Sequence, residues 1–274
     1  MRVFVTVDIE GIAGVVNGEE GARGNPEYER ARRLMTREAN AVVAGIYDAD
    51  PAAEVTVADV HGPYRNMIPE DLDERAAFSR GKPKTFGMVD GIDRGFDVAM
   101  FVGVHGRAGS GPAVLSHTFT GTILDVLVNG KPMGELGLNA AVAGAHGVPV
   151  VLVAGDQTVA AEARDLFGPE VVAVEVKESR AHLAAVSLHP KAARAKLREA
   201  AARAIRERPG VRPLRVETPV DVAVSLARPV YADLAAMIDD VERVDGRTIR
   251  FTRPDMPNAY RVLRLITVLC STPV

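Results

Sequence analysis

The chain has 274 residues with 33 Lys and Arg against 36 Asp and Glu, a net charge of −3 that leaves no basic face for nucleic acid. Its single cysteine, Cys270, excludes an intramolecular disulfide and any CxxC zinc site, and 47% hydrophobic with 25% charged residues is an ordinary globular composition. The apolar run of "MRVFVTVDIE" is too short for a secretory leader and no stretch reaches the roughly 18 apolar residues of a membrane span, so the expectation is a soluble, cytoplasmic protein with no membrane partner.

In chain order, residues 2–8 alternate and predict a first strand, which delivers Asp8 and Glu10 followed by Gly11 and Gly14. Residues 25–50 predict a helix capped by Asn25, with Pro26 in its first turn and Asp50-Pro51 as its stop. "EVTVADV" (54–60) is a second strand and "DVAMFVGV" (97–104) a third, nearly continuous in apolar residues as in a strand buried on both faces. Then come the strand-like "TILDVLVNG" with a turn at Asn129-Gly130, a small-residue helix over 134–145, a buried strand over 149–155, and helices over 158–167 and 190–208. Beyond them, 214–227, 241–246 and 248–253 are strand-like, with helices near 230–238 and 257–270. The alternation predicts an α/β three-layer sandwich with a largely parallel sheet over 1–208, and a smaller α+β portion over 209–274.

Ligands of open parallel sheets bind beyond the carboxyl ends of the strands. The first strand ends on Asp8 and Glu10, which share a face. The second ends "VADVHG", with Asp59 and His61, and the third "FVGVHG", with His105. Each of these residues alone reads as a solvated strand end or a hydrogen-bonded turn residue. Together, two acids and two imidazoles from three strands point to a divalent metal site, zinc or manganese by ligand type. His117 lies twelve residues beyond His105 across the glycine-rich "GRAGSG", which lacks the pattern of a phosphate loop. Glu135 opens the small-residue helix, where it can serve the helix dipole or act as a further carboxylate for a second ion. Asp59 can orient His61 or hold a turn, Asp156 reads as a helix cap, and Lys177 has no evident partner.

"TVDIEG", "LMTREAN", "DVH", "GVHGRA", "SHT", "GELGLNAAVAG" and "VPVVLVAGD" occur in order over residues 1–160. In these segments the chain resembles the zinc-dependent D-aminopeptidases of the bacterial dipeptide-transport type. The resemblance implies a self-compartmentalised peptidase with two zinc ions per subunit, acting on short peptides or aminoacyl amides from the free N-terminus. It also implies a large, ring-based homo-oligomer such as a decamer. Matched position by position, Asp8 bridges the two zincs, Glu10 and His61 complete one site, His105 and Glu135 the other, and His117 is the catalytic histidine. Thr6, Ala58 and Val60 depart from the family's usual residues, and the loop from His105 to His117 is slightly longer, differences expected to alter substrate choice. Two rival functions are a two-metal phosphoesterase, for which Arg107 is the evident cation, and a non-catalytic metal- or peptide-binding protein, which would need no proton shuttle.

Overall fold

The structure is a computed structural model and describes residues 1–271. β1 (Arg2–Val7) is a run of β-branched and apolar residues buried from Val3 onward, so it can only sit in the middle of a sheet covered on both faces. A four-residue helix, α1 (Gly18–Gly21), follows and then α2 (Tyr28–Ala49). The chain continues through β2 (Glu54–Asp59), β3 (Ala77–Ser79), β4 (Val98–Val102), β5 (Ile123–Val128), β6 (Lys131–Pro132) and α3 (Glu135–Ala145). After these come β7 (Val150–Asp156), α4 (Gln157–Phe167), the hairpin of β8 (Val172–Ala181) and β9 (Ala184–Ser187), and α5 (Pro190–Glu207). The tail holds β10 (Val220–Leu226), α6 (Pro229–Ala235), β11 (Glu242–Arg243), β12 (Thr248–Arg253) and α7 (Met256–Cys270).

The main sheet has seven strands in the order β3-β2-β1-β4-β7-β8-β9, all parallel except the last. The apolar stripe of α2, with Val42, Val43 and Ile46, packs with Leu197 and Ala201 of α5 over one face. The other face carries Phe4, Ala99 and Phe101 against α3, α4 and the second sheet, which makes the expected α/β sandwich. The second sheet is antiparallel, in the order β11-β12-β10-β5-β6, with α7 packed on it. It joins strands from both sides of residue 208. β5 and β6 are linked by the Asn129-Gly130 turn, both residues with positive φ (49° and 76°), as a two-residue hairpin requires.

Some sequence expectations are corrected. α2 starts at Tyr28, because residues 25–28 form a turn in which the Asn25 side chain accepts from the Glu27 amide (2.9 Å) and caps nothing in the helix. β5 lies in the second sheet and not among the parallel strands. The β8–β9 hairpin and α1, the latter capped by a reciprocal Asn17–Glu20 box, were not anticipated.

The order of the main sheet places the site. From β1 the chain steps outward to β2 and β3, then returns to β4 on the other side of β1. The β1/β4 junction is therefore the topological switch point, where loops diverge and a crevice opens. Register does the rest: Val7 is level with Asp59 and with Val102. The loops bearing Asp8, His61 and His105 consequently leave the sheet at one height.

Candidate metal centre

Asp8 and Glu10 leave β1 into a loop pressed against the one after β4. The Asp8 amide donates to the Val102 carbonyl (2.9 Å) and the Gly11 amide to the Gly103 carbonyl (2.7 Å). Gly11 and Gly103 are required by this approach. A Cβ on either would lie 2.2 Å from the backbone of the other loop, and Gly103 also has φ +68°. The glycine directly after the two acids thus lets two strand-end loops touch.

The six residues singled out in the sequence converge. His61 Nδ1 lies 3.1 Å from Asp8 Oδ1 and 3.0 Å from Glu10 Oε2. His105 Nε2 lies 3.5 Å from Glu135 Oε1 and 3.9 Å from Glu10 Oε2. His117 Nε2 is 3.6 Å from Glu135 Oε1 and 3.8 Å from Glu10 Oε1, its ring stacked on His105 at 4.2 Å and 14°. Three triads have donor atoms all within 4.8 Å of one another: Asp8, Glu10 and His61; Asp8, His105 and Glu135; Glu10, His105 and His117. The first two share Asp8.

The backbone aims each of these groups. His105 Nδ1 donates to the Gly106 carbonyl (3.1 Å) and His117 Nδ1 to the Leu115 carbonyl (2.7 Å). A carbonyl only accepts, so both protons sit on Nδ1 and both Nε2 atoms face the acids. Glu135 is held by the Phe119 amide (2.7 Å) and sits in the first turn of α3, so its place in the cluster and its service to the helix dipole coexist. Tyr64, Leu115 and Phe119, all in the site loops, have φ between 54° and 62°, a left-handed conformation that side-chain-bearing residues rarely adopt and that collects at functional sites.

The electrostatics fit a bound cation. Asp8, Glu10 and Glu135 are buried, at 3%, 9% and 6% exposure. Burial, reinforced by the Glu10 charge, pushes the Asp8 carboxyl up to about 6. Burial acts on Glu10 too, but there the His61, His105 and His117 rings outweigh it and hold the carboxyl well below its usual range. Burial opposes charging of His105, yet Glu135, Glu10 and Asp8 raise it to about 9, and the neighbouring acids likewise hold His61 well above its ordinary value. The buried carboxylates thereby hold positive charge on the imidazoles beside them. Oxygen and imidazole donors at this spacing suit zinc.

Several supporting residues have roles the sequence did not disclose. Buried Lys177 donates from Nζ to the carbonyls of Glu10 (2.5 Å), Ile12 (3.2 Å) and Val15 (2.6 Å), and burial lowers it to about 8. It is the pin of the loop that carries the two acids. Glu38 Oε1 accepts from the Ala13 amide (3.0 Å) in the same loop. Asp59 does not touch the His61 ring. It accepts from the amides of Asn66 (2.5 Å) and Met67 (2.7 Å), while Asn66 Nδ2 donates to the His61 carbonyl (2.7 Å), so it holds the turn. Asp156 caps α4 as expected and also accepts from the Val114 amide (2.8 Å), tying down the loop of His117. Gly21 leaves room for His61, whose Nε2 would lie 2.8 Å from a Cβ there.

A cavity of about 180 Å³ opens over the cluster. Lys82 and Arg264 line it, with Tyr64, Val60, Met88 and Phe119. Arg107, the cation singled out in the sequence, is instead 3.8 Å from Asp125 and not in this wall.

A family model described as D-aminopeptidase matches residues 1–265, so the likeness read from the first 160 residues continues through the tail. A D-aminopeptidase of Bacillus subtilis (strain 168) is 37% identical over 273 residues, covering 98% of this chain and 97% of the relative. The solved structure of the zinc-dependent D-aminopeptidase DppA from Bacillus subtilis, a self-compartmentalizing protease, matches with a TM-score of 0.96 and 35% identity over 100% of both chains. With both its sequence and its fold matched end to end, the chain belongs to the D-aminopeptidase family.

Proposed function

We propose that the protein is a two-zinc D-aminopeptidase that releases the N-terminal residue of short peptides. The observation that carries this reading is the pair of triads sharing Asp8. Glu10 and His61 would hold one zinc and His105 and Glu135 the other, with Asp8 between them. When bound, zinc supplies a water nucleophile at neutral pH and polarises the scissile carbonyl. The zinc dependence of the related DppA supports this choice of metal.

His117 is the proton carrier. It sits at the cavity wall, and its Nε2 faces Glu10 and Glu135 while Nδ1 is held by the Leu115 carbonyl. With Nδ1 held by a carbonyl, Nε2 is the ring nitrogen free to take a proton and return it to the leaving amine. The buried acids give a peptide's terminal ammonium a counter-charge, and the apolar Val60, Met88 and Phe119 wall excludes water around the bond.

Self-compartmentalizing assembly of the relative, together with exposed Leu183, Val186 and Leu188 at the open edge of the main sheet, supports a large homo-oligomer. No described helix is long and apolar enough to cross a membrane.

The test is hydrolysis of matched D- and L-aminoacyl amides and dipeptides, with and without N-acetylation, by zinc-loaded protein. Cleavage of free-amine D substrates in preference to their L and acetylated counterparts is the expected result. Turnover of phosphate esters with none of peptides would replace this reading with the phosphoesterase one.

A further inference from the structure

The wall of the cavity carries two cationic side chains besides its acids and imidazoles. Arg264 projects from α7 and Lys82 from the loop after β3, and both line the same cavity as Asp8, Glu10 and His117. Neither forms an ion pair among the described residues. Arg264 Nε is buried without a hydrogen-bond partner there, an arrangement that costs free energy unless a ligand completes it. The guanidinium is nevertheless carefully seated. Its Cζ lies 5.2 Å from the Phe119 ring centroid, and Gly87, with φ +52°, leaves it space that a Cβ would invade at 3.0 Å from Nε. Lys82 is placed by the Tyr64 ring, 4.5 Å from its Nζ. Burial and the nearby Arg264 charge both lower the Lys82 ammonium, the mark of two cations facing one space.

We propose that Arg264 and Lys82 together bind the free α-carboxylate of the peptide's leaving portion, so that the enzyme selects short zwitterionic peptides over their C-terminal amides. This rests on the peptidase reading and adds the substrate feature that reading leaves open. One cavity is lined by carboxylates and imidazoles and by two cations, the charge pattern of a peptide with both termini free. Its volume of about 180 Å³ lies below the usual range of small-molecule pockets, so the two charged ends must be few residues apart. A planar guanidinium favours a carboxylate by paired charge-assisted hydrogen bonds. Neither residue was flagged by the sequence, because one lies in a loop and the other on a helix 182 positions later, and only the fold brings them together.

The experiment compares kcat/KM for D-alanylglycine and D-alanylglycine amide, which share the scissile bond and differ only at the C-terminus. Wild type should favour the acid by about 10- to 100-fold, the range of a charge-assisted hydrogen bond. Arg264→Gln should collapse that ratio, mainly through the acid. Lys82→Gln, in an exposed loop position, should lower it in the same direction and keeps the test open if the Arg264 variant does not fold. Equal rates for acid and amide in wild type, or an unchanged ratio in both variants, would overturn the carboxylate clamp while leaving the peptidase reading intact. Cleavage of neither compound would overturn both.

Discussion

Asp8 is the residue on which the site turns, since it belongs to two of the three donor triads and is fixed by its neighbours His61 and Ile9. If it bridges two ions, metal analysis should find about two zincs per chain in wild type and most of both lost in Asp8→Ala. His105→Ala should lose metal and activity together. His117→Ala should keep its metal and fold while kcat falls at least about a hundredfold, the contribution of a general acid-base group. Because His117 also completes a triad with Glu10 and His105, metal loss from His117→Ala equal to that from His105→Ala would reassign it as a ligand. Full metal retention by Asp8→Ala would remove the bridging role.

At the scale of elements, the site is a set of strand-end loops held by buried polar pins. Lys177 on β8 reaches across to three carbonyls of the loop after β1, Asp156 at the end of β7 holds the loop of His117, and Asp59 at the end of β2 holds the turn after His61. Each is an acid or amine taken out of water and bonded mainly to backbone partners, Asp59 also accepting from Asn66 Nδ2 (2.8 Å). Lys177→Met keeps the bulk but leaves buried carbonyls without their donor, a loss on the order of 3 kcal/mol. The unfolding midpoint should therefore drop by roughly 5–10 °C for a domain of this size, and zinc affinity should weaken because Glu10 itself is one of the tethered residues. A melting temperature and metal content equal to wild type would show that the loop holds its shape without the pin.

At the scale of the whole molecule, the open edge of the main sheet asks for cover. β9 is its last strand, and the exposed apolar side chains of Leu183, Val186 and Leu188 lie at it, with 52%, 58% and 37% of their surface open. Unpaired edges and apolar patches on one hairpin favour association. Light scattering at micromolar concentration should give a mass well above a dimer, and Val186→Asp should shift it downward. A single species near the 29.2 kDa of one chain would contradict the assembly.

Chemistry-bearing residues at strand ends were visible in the sequence because strand, turn glycine and ligand follow one another within a few positions. Asp8, Glu10, His61 and His105 needed only the rule that parallel strands deliver ligands at their carboxyl ends, and the apolar runs of β1, β4 and β7 marked the centre of the sheet. His117 and Glu135 needed the family resemblance as well, since neither follows a strand of the main sheet. What tertiary structure alone decided depends on contacts between distant segments. β5 pairs with β10, about a hundred residues away, because an alternating strand specifies that one face is buried and not which partner will pair with it. Lys177 appears solitary in sequence and finds its three carbonyls 162 to 167 residues earlier. Arg264 and Lys82 line one cavity over the site only because α7 lies beside the loop after β3, a proximity of residues 182 positions apart that no local pattern encodes.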